Sequence, residues 1–316
     1  MKAGFVGYGN FANKLYILFK RTNLVEGFLF FHPQKTIESV FCTTKLEDLF
    51  VCDFIVIASP DWTHGQYLWK LQDYKGYIFC EKIPVIDRKD LSFLKNQNNP
   101  LVYFDFNYRK SCLYSLLQEY KDKILYISCR MGHGLAFKEE YKNNWRSNAY
   151  YTPLGVFQLS GIHFFDLLVF CFGSPSSYRM SARNISNYGD AIDNFNISLE
   201  FKNTIFADLF CSYTSPYQFS IDIVTTDELI EYNGRELIVK GPRETFDADG
   251  LYTSPPVIIR EEMDLYPDSW SNSINYFLDV VKSGSDFCEA FQESNLQSTE
   301  LFLDILDNMK NNQRDR

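Results

Sequence analysis

Paired cysteines and metal-ligand spacings are both missing from this 316-residue chain. Its eight cysteines, at positions 42, 52, 80, 112, 129, 171, 211 and 288, form no CxxC, and several sit in apolar runs, where a free thiol behaves as a small hydrophobe. That excludes a disulfide scaffold and points to reduced thiols, hence a cytoplasmic protein. The four histidines, 32, 64, 133 and 163, are widely separated, and their spacing suggests no zinc site. No apolar run approaches the roughly 18 residues that span a membrane. The chain begins on the strand-like run Ala3-Gly4-Phe5-Val6 rather than on a signal peptide. Basic clusters are also missing: the net charge is −9 and the lysines and arginines are scattered, which excludes a nucleic-acid surface built to displace counterions.

What is present fits a globular enzyme-sized protein. Hydrophobic residues make up 46% and charged residues 22%, and the length suggests two domains. Residues 2–6 are a short apolar run, Gly7-Tyr8-Gly9-Asn10-Phe11-Ala12 follows, and residues 10–21 have helical periodicity with Phe11, Leu15, Leu18 and Phe19 on one face. In a strand–turn–helix, Gly7 permits the tight turn, Gly9 lets the backbone approach a pyrophosphate, and Ala12 keeps the helix close to the strand. The helix N-terminus then offers its unpaired N–H groups to the anion. A second strand at 27–31 ends in His32-Pro33-Gln34-Lys35 with no acid to hold ribose hydroxyls. Lys35, beside His32, is suited to pair with a 2′-phosphate, which favours NADP(H) over NAD. Further elements are a short strand near 39–41, a small helix at 45–50 and a continuous apolar strand at 54–58, as expected for a parallel sheet buried on both faces. A helix from 64 to about 74 follows, then a strand at 77–80 that delivers Glu81-Lys82-Ile83-Pro84 at its carboxyl end, where ligands bind in open α/β sheets. A helix at 87–96, a strand at 101–106 and a helix at 111–120 complete a dinucleotide-binding domain spanning 1–120.

Residues 121–316 follow a different pattern. Phe195-Ile197-Leu199-Phe201, Ile205-Ala207-Leu209-Cys211 and Phe219-Ile221-Ile223 alternate with polar residues, the period of a half-buried antiparallel sheet. Asn233-Gly234 marks a hairpin between two such runs. A helix is expected at 155–172, stopped by Gly173-Ser174-Pro175, with His163 and Asp166 three apart on one face. Helical patterns return at 269–282 and 293–309. The stretch 132–154, with Trp145 and Arg146, has little periodicity and suits either a substrate loop or an ordinary exposed loop.

The ordered set GYGNFA, IVIASPDWTHGQ, EKIP, NYR and GIHFFD resembles the glucose–fructose oxidoreductase, inositol dehydrogenase and rhizopine catabolism family of NAD(P)-dependent oxidoreductases. That resemblance runs nearly the full length. It implies an α/β Rossmann N-terminal domain plus an α+β C-terminal domain with a large, mostly antiparallel sheet. It also implies cofactor contacts from the glycine turn and from Ser59, Pro60, His64, Glu81 and Lys82, and catalysis by Lys82 and His163. Substrate contacts are expected from Lys82, Asn107, Arg109, Trp145, Arg146, Leu159 and His163. The family's DxGxH reads Leu159-Ser160-Gly161-Ile162-His163 here, so the aspartate is replaced by leucine.

The expected activity is hydride transfer between NAD(P) and a carbinol or carbonyl carbon of a sugar, nucleotide-sugar or polyol. A catalytically silent member that senses a dinucleotide or sugar, and a reductase of a non-sugar substrate, stay open. Partners are a small carbohydrate-type substrate and, through the C-terminal sheet, further copies of the chain.

Overall fold

The computed structural model describes residues 1–34, 41–202, 205–265 and 268–314. The chain packs as two compact units, residues 1–107 with 270–316 and residues 108–269. The division expected at 120–121 thus falls earlier, and the C-terminal helices return to the first unit.

The first unit is built on a six-stranded parallel sheet in the order β3-β2-β1-β4-β5-β6. Its strands are β1 (Lys2–Val6), β2 (Gly27–Phe31), β3 (Cys42–Thr43), β4 (Phe54–Ile57), β5 (Tyr77–Glu81) and β6 (Val102–Asp105). Every residue of β4 and β6 is buried, because crossover helices cover both faces of a parallel sheet. Those helices are α1 (Asn10–Arg21), α2 (His64–Lys70) and α3 (Arg88–Gln97). Asp87 caps α3 by accepting from Asp90 N at 2.8 Å, which satisfies one of the donors that a helix start leaves open. The expected strand near 39–41 falls partly outside the described residues; the strand that is described is β3.

Two later helices, α6 (Asp268–Ser283) and α7 (Glu289–Arg314), close this unit. Phe277 packs against Phe54 and Phe79, each at 5.3 Å between ring centroids, and against Phe287 at 5.8 Å. Helical periodicity makes α6 visible in the sequence, but tertiary contacts such as these assign it to a sheet far earlier in the chain.

The second unit contains α4 (Cys112–Glu119), capped by Ser111, and an eight-stranded sheet ordered β14-β13-β12-β11-β7-β10-β9-β8. Its strands are β7 (Ile124–Gly132), β8 (Ser177–Arg183), β9 (Asn194–Glu200), β10 (Phe206–Ser212), β11 (Gln218–Thr225), β12 (Leu229–Tyr232), β13 (Glu236–Lys240) and β14 (Val257–Glu262). All described pairings are antiparallel except β7 with β10. Burial alternates along β9 and β11, the period of a sheet with one covered face. The β12–β13 turn carries Gly234 at φ 96°, a conformation that glycine adopts without steric cost.

The helix expected at 155–172 is a π-helical turn, Phe157–Gly161, leading into α5 (Ile162–Phe172). A Cβ on Gly161 would come within 2.5 Å of Cys211 Sγ, so glycine is what lets this turn lie against β10. Among the described residues no helix is long and apolar enough to cross a membrane.

Truncating Phe277 removes a fully buried ring. Phe277→Ala is expected to lower stability by about 3–5 kcal/mol, measured by urea unfolding. Hydrogen exchange should place the lost protection in β4 and β5; loss confined to α6 would contradict this packing.

Candidate active site

In a parallel sheet all carboxyl ends lie along one edge, and the first unit places its candidate residues there. Gly7 follows β1 with φ 99°, and a Cβ at that position would lie 3.1 Å from Ala58 O and Ser59 N. The turn after β1 and the loop after β4 therefore pass each other closely, and the positive φ favours glycine at this point. Gly9 is the N-cap of α1; it makes no side-chain cap bond, no acid occupies the first turn, and a Cβ there meets nothing within 4 Å. Open space above Gly9 and a helix start without an acidic side chain suit the pyrophosphate of a dinucleotide. Ala12 is fully buried against the sheet, and the Tyr8 ring stands edge-on to Phe30 at 5.1 Å. These residues fit the cofactor that the motif implies.

His32 leaves the end of β2, and its Nδ1 accepts from Gln34 N at 3.2 Å. Lys35 lies outside the described residues. Ser59 Oγ and Thr63 Oγ1 are 2.7 Å apart, and Thr63 donates to Pro60 O, so the loop after β4 closes on itself. His64 is buried rather than presented at the surface. Its two ring nitrogens face backbone carbonyls, Ser59 O at 2.9 Å and Ile83 O at 2.8 Å. Burial pulls its pKa down, and the nearby Asp61 carboxylate opposes that. His64 thus ties the loop after β4 to the turn that carries Lys82, where the Lys82–Ile83 peptide is cis.

Glu81 is 7% exposed at the end of β5, in register with Asp105 at the end of β6. Asp105 drew no attention in the sequence, although a carboxylate closing the apolar run Val102-Tyr103-Phe104 is a signal in itself. Burial raises the Glu81 pKa well above the ordinary carboxylate range, the adjacent Asp105 adds to this, and Lys82 opposes it. Burial also pushes Asp105 up to about 6, against a hydrogen bond from Ser273 of α6, another from Glu81 and the charge of Lys82.

The second unit holds the other candidates. His163, half-buried on α5, stacks on Tyr108 with centroids 4.8 Å apart and ring planes at 26°. Leu159 sits in the π turn preceding it; such turns occur often at functional sites. Asp166 shares the helix face of His163, but the structure gives its carboxylate to Arg109. Arg109 Nε donates to Asp166 Oδ2 at 2.7 Å and Nη2 donates to Oδ1 at 2.5 Å, with both side chains fully buried. The guanidinium also lies 4.4 Å from the Phe170 ring centroid. Arg109, expected at the substrate, is thus turned into the interior, as is Asn107, 1% exposed at the end of the first unit's N-terminal segment.

The stretch 132–154 consists of short 3-10 turns, Leu135–Phe137, Glu139–Asn143 and Trp145–Ser147. Arg146 lies over the Trp145 ring at 4.3 Å. Beside them is an open cleft of about 500 Å³ lined by Asn144, Trp145, Asn148, Tyr151 and Asp190. An indole edge among amides and a carboxylate is a surface that suits sugar hydroxyls. Among the described residues no cluster of His, Cys, Asp and Glu is arranged to hold a metal.

Residues 122–231 match the model of the GFO/IDH/MocA C-terminal domain. Glucose-6-phosphate 3-dehydrogenase from Bacillus subtilis (strain 168) is 25% identical over 203 residues, an alignment covering 57% of this chain and 57% of that enzyme. The chain thus spans little more than half the length of that relative. Among solved structures, a 3-ketoreductase from Actinomadura kijaniata, in complex with TDP-benzene and NADP, superposes with a TM-score of 0.79 at 13% identity, covering 98% of this chain and 97% of that one. Myo-inositol 2-dehydrogenase from Lactobacillus plantarum gives 0.73 at 14% identity, covering 98% of each chain. These superpositions establish the fold: a Rossmann-type parallel sheet plus a large, mostly antiparallel sheet.

Asp166→Ala strands the buried Arg109 cation and is expected to destabilise the protein by about 3–5 kcal/mol. The double variant Arg109→Met with Asp166→Leu should recover most of that loss. Thermal and urea melts of the single and double variants check both statements, and a double variant no more stable than the single one would show that the pair is not what matters.

Proposed function

We propose, from the match of residues 122–231 to the GFO/IDH/MocA C-terminal domain, that the chain is an NAD(P)-dependent oxidoreductase acting on a CH–OH group of a sugar, nucleotide-sugar or polyol. The observation that carries this reading is the first unit's carboxyl edge, where the Gly7–Gly9 turn after β1 and Lys82 after β5 belong to one parallel sheet. The backbone of that turn and the start of α1 would hold the cofactor, whose nicotinamide would supply or accept the hydride. Lys82 donates a hydrogen bond to the reacting oxygen, and His163 exchanges the proton. Stacking on Tyr108 restricts the tilt of the His163 ring. Proton transfer of this kind contributes about 10²–10⁴-fold to rate.

Among sugars, the hydroxyl at carbon 3 is the first to test, because the dehydrogenase relative and the ketoreductase are both named for that position. Trp145, Arg146 and Leu159 are assigned to substrate contact. The lean towards NADP(H) rests on the absence of an acid after β2, and on Lys35. Association of copies through the C-terminal sheet is supported by its edge strand β14, where Val257, Ile258 and Ile259 are exposed, since an apolar edge invites pairing. A silent sensor is favoured only by the leucine at 159.

Titration calorimetry with both oxidised cofactors is expected to show tighter binding of NADP; NAD binding tenfold more tightly would reverse the preference. Once a library of free and nucleotide-linked sugars yields a substrate, Lys82→Ala and His163→Asn should each lower kcat by about 10²-fold or more, with thermal midpoints within a few degrees of the parent. Unchanged turnover in the His163 variant at every pH would move the proton route elsewhere.

A further inference from the structure

The carboxyl groups of Glu81 and Asp105 are buried side by side in the first unit, on adjacent strands and in register. Isolated carboxylates in such a place would repel each other across a short distance at low dielectric. The surrounding hydrogen bonds show how the clash is relieved. Ser273 Oγ donates to Asp105 Oδ1, and Tyr103 Oη lies 2.7 Å from the same Ser273 oxygen. With its proton committed to Asp105, Ser273 accepts from Tyr103. Asp105 therefore stands at the receiving end of a Tyr103–Ser273 relay and is hydrogen-bonded to Glu81 on its other side. Accepting from Ser273 favours the ionised form of Asp105, and the neighbouring carboxyl of Glu81 then brings the proton.

We infer that Glu81 and Asp105 share one proton, with Glu81 as donor and ionised Asp105 as acceptor, and that the single fixed charge makes Asp105 a positioning residue for the Lys82 ammonium. Other groups around the pair are accounted for. The Cys80 thiol is pushed up chiefly by burial, so it stays neutral. Burial keeps His64 low, and the charge of Lys82 adds to that, with Asp61 opposing. Lys82 is the cation whose charge acts on both Glu81 and Asp105. One negative charge, not two and not none, is what the pair presents to it, and the proton rests on Glu81 because Asp105 has the stronger hydrogen-bond support. As two coupled sites they titrate together, and acidification through about 6 neutralises the pair and removes the charge facing Lys82.

The consequence for turnover rests on the proposed role of Lys82, but the shared proton does not. It is tested on the full chain at neutral pH by infrared difference spectroscopy for a protonated carboxyl, and by carbon NMR of reductively methylated lysines. The Lys82 signal is assigned by its loss in Lys82→Arg. The expected result is a protonated-carboxyl band in the parent that disappears in Glu81→Gln, while Lys82 titrates as in the parent, because the amide replaces a neutral acid. Asp105→Asn should instead move the Lys82 titration to lower pH. Absence of the band in the parent overturns the inference, and needs no variant to fold. So does a Lys82 titration that shifts in Glu81→Gln as far as in Asp105→Asn, one that shifts only in Glu81→Gln, or one that shifts in neither. If these results hold while Lys82→Ala retains full turnover, the shared proton stands and the catalytic role of Lys82 falls.

Discussion

Parallel strands buried on both faces leave their carboxyl ends as the place in the first unit where backbone turns and polar side chains come together along one edge. Everything chemical in that unit follows from this constraint. The glycine turn leaves β1, the Ser59–His64 loop leaves β4, Glu81 and Lys82 leave β5, and Asp105 ends β6. Because the interior is apolar and aromatic, each polar group arriving at the edge must find a partner there. The ring nitrogens of His64 lie against two backbone carbonyls, to one of which the neutral ring donates, and the two carboxyls lean on each other and on α6.

The same economy of buried charge governs the second unit. Arg109 and Asp166 are fully buried, and a bidentate geometry satisfies both, as planar guanidinium–carboxylate pairing allows. Desolvating two charges gains little net stability compared with apolar residues, whereas exposing either one inside the fold costs heavily. The pair anchors the 3-10 turn Asn107–Lys110 to α5, and Tyr108, next to Arg109, stacks on His163. An ion pair that carries no chemistry itself is thereby coupled to the orientation of the candidate proton-exchanging group.

Local signals in the chain were enough for the strand–turn–helix opening, for the hairpin at Asn233-Gly234 and for the change from parallel to mostly antiparallel architecture, because these depend on short-range periodicity and on the conformational needs of glycine. The candidate roles of Lys82 and His163 came instead from the resemblance carried by the order of the motifs. What the sequence could not convey is where side chains of the right type point. Arg109, expected at the substrate, pairs in the interior with Asp166. His64, expected at the cofactor, is buried between two backbone carbonyls, while Asp105 and Ser273 passed unnoticed, 168 positions apart. A hydrogen bond across that span leaves no trace in local pattern.

Composition, periodicity and motif spacing by themselves determined the two architectures, the dinucleotide-type turn and the absence of a metal-ligand spacing, since each is set by neighbours within a few residues. Tertiary structure alone decided that α6 and α7 belong with the first sheet, that α4 belongs with the second, and which carboxylates face each other. Those outcomes depend on the burial of Phe277 and Phe287 among aromatic rings from five strands and a helix and on the cost of leaving a buried charge unanswered, and both are properties of a packed interior.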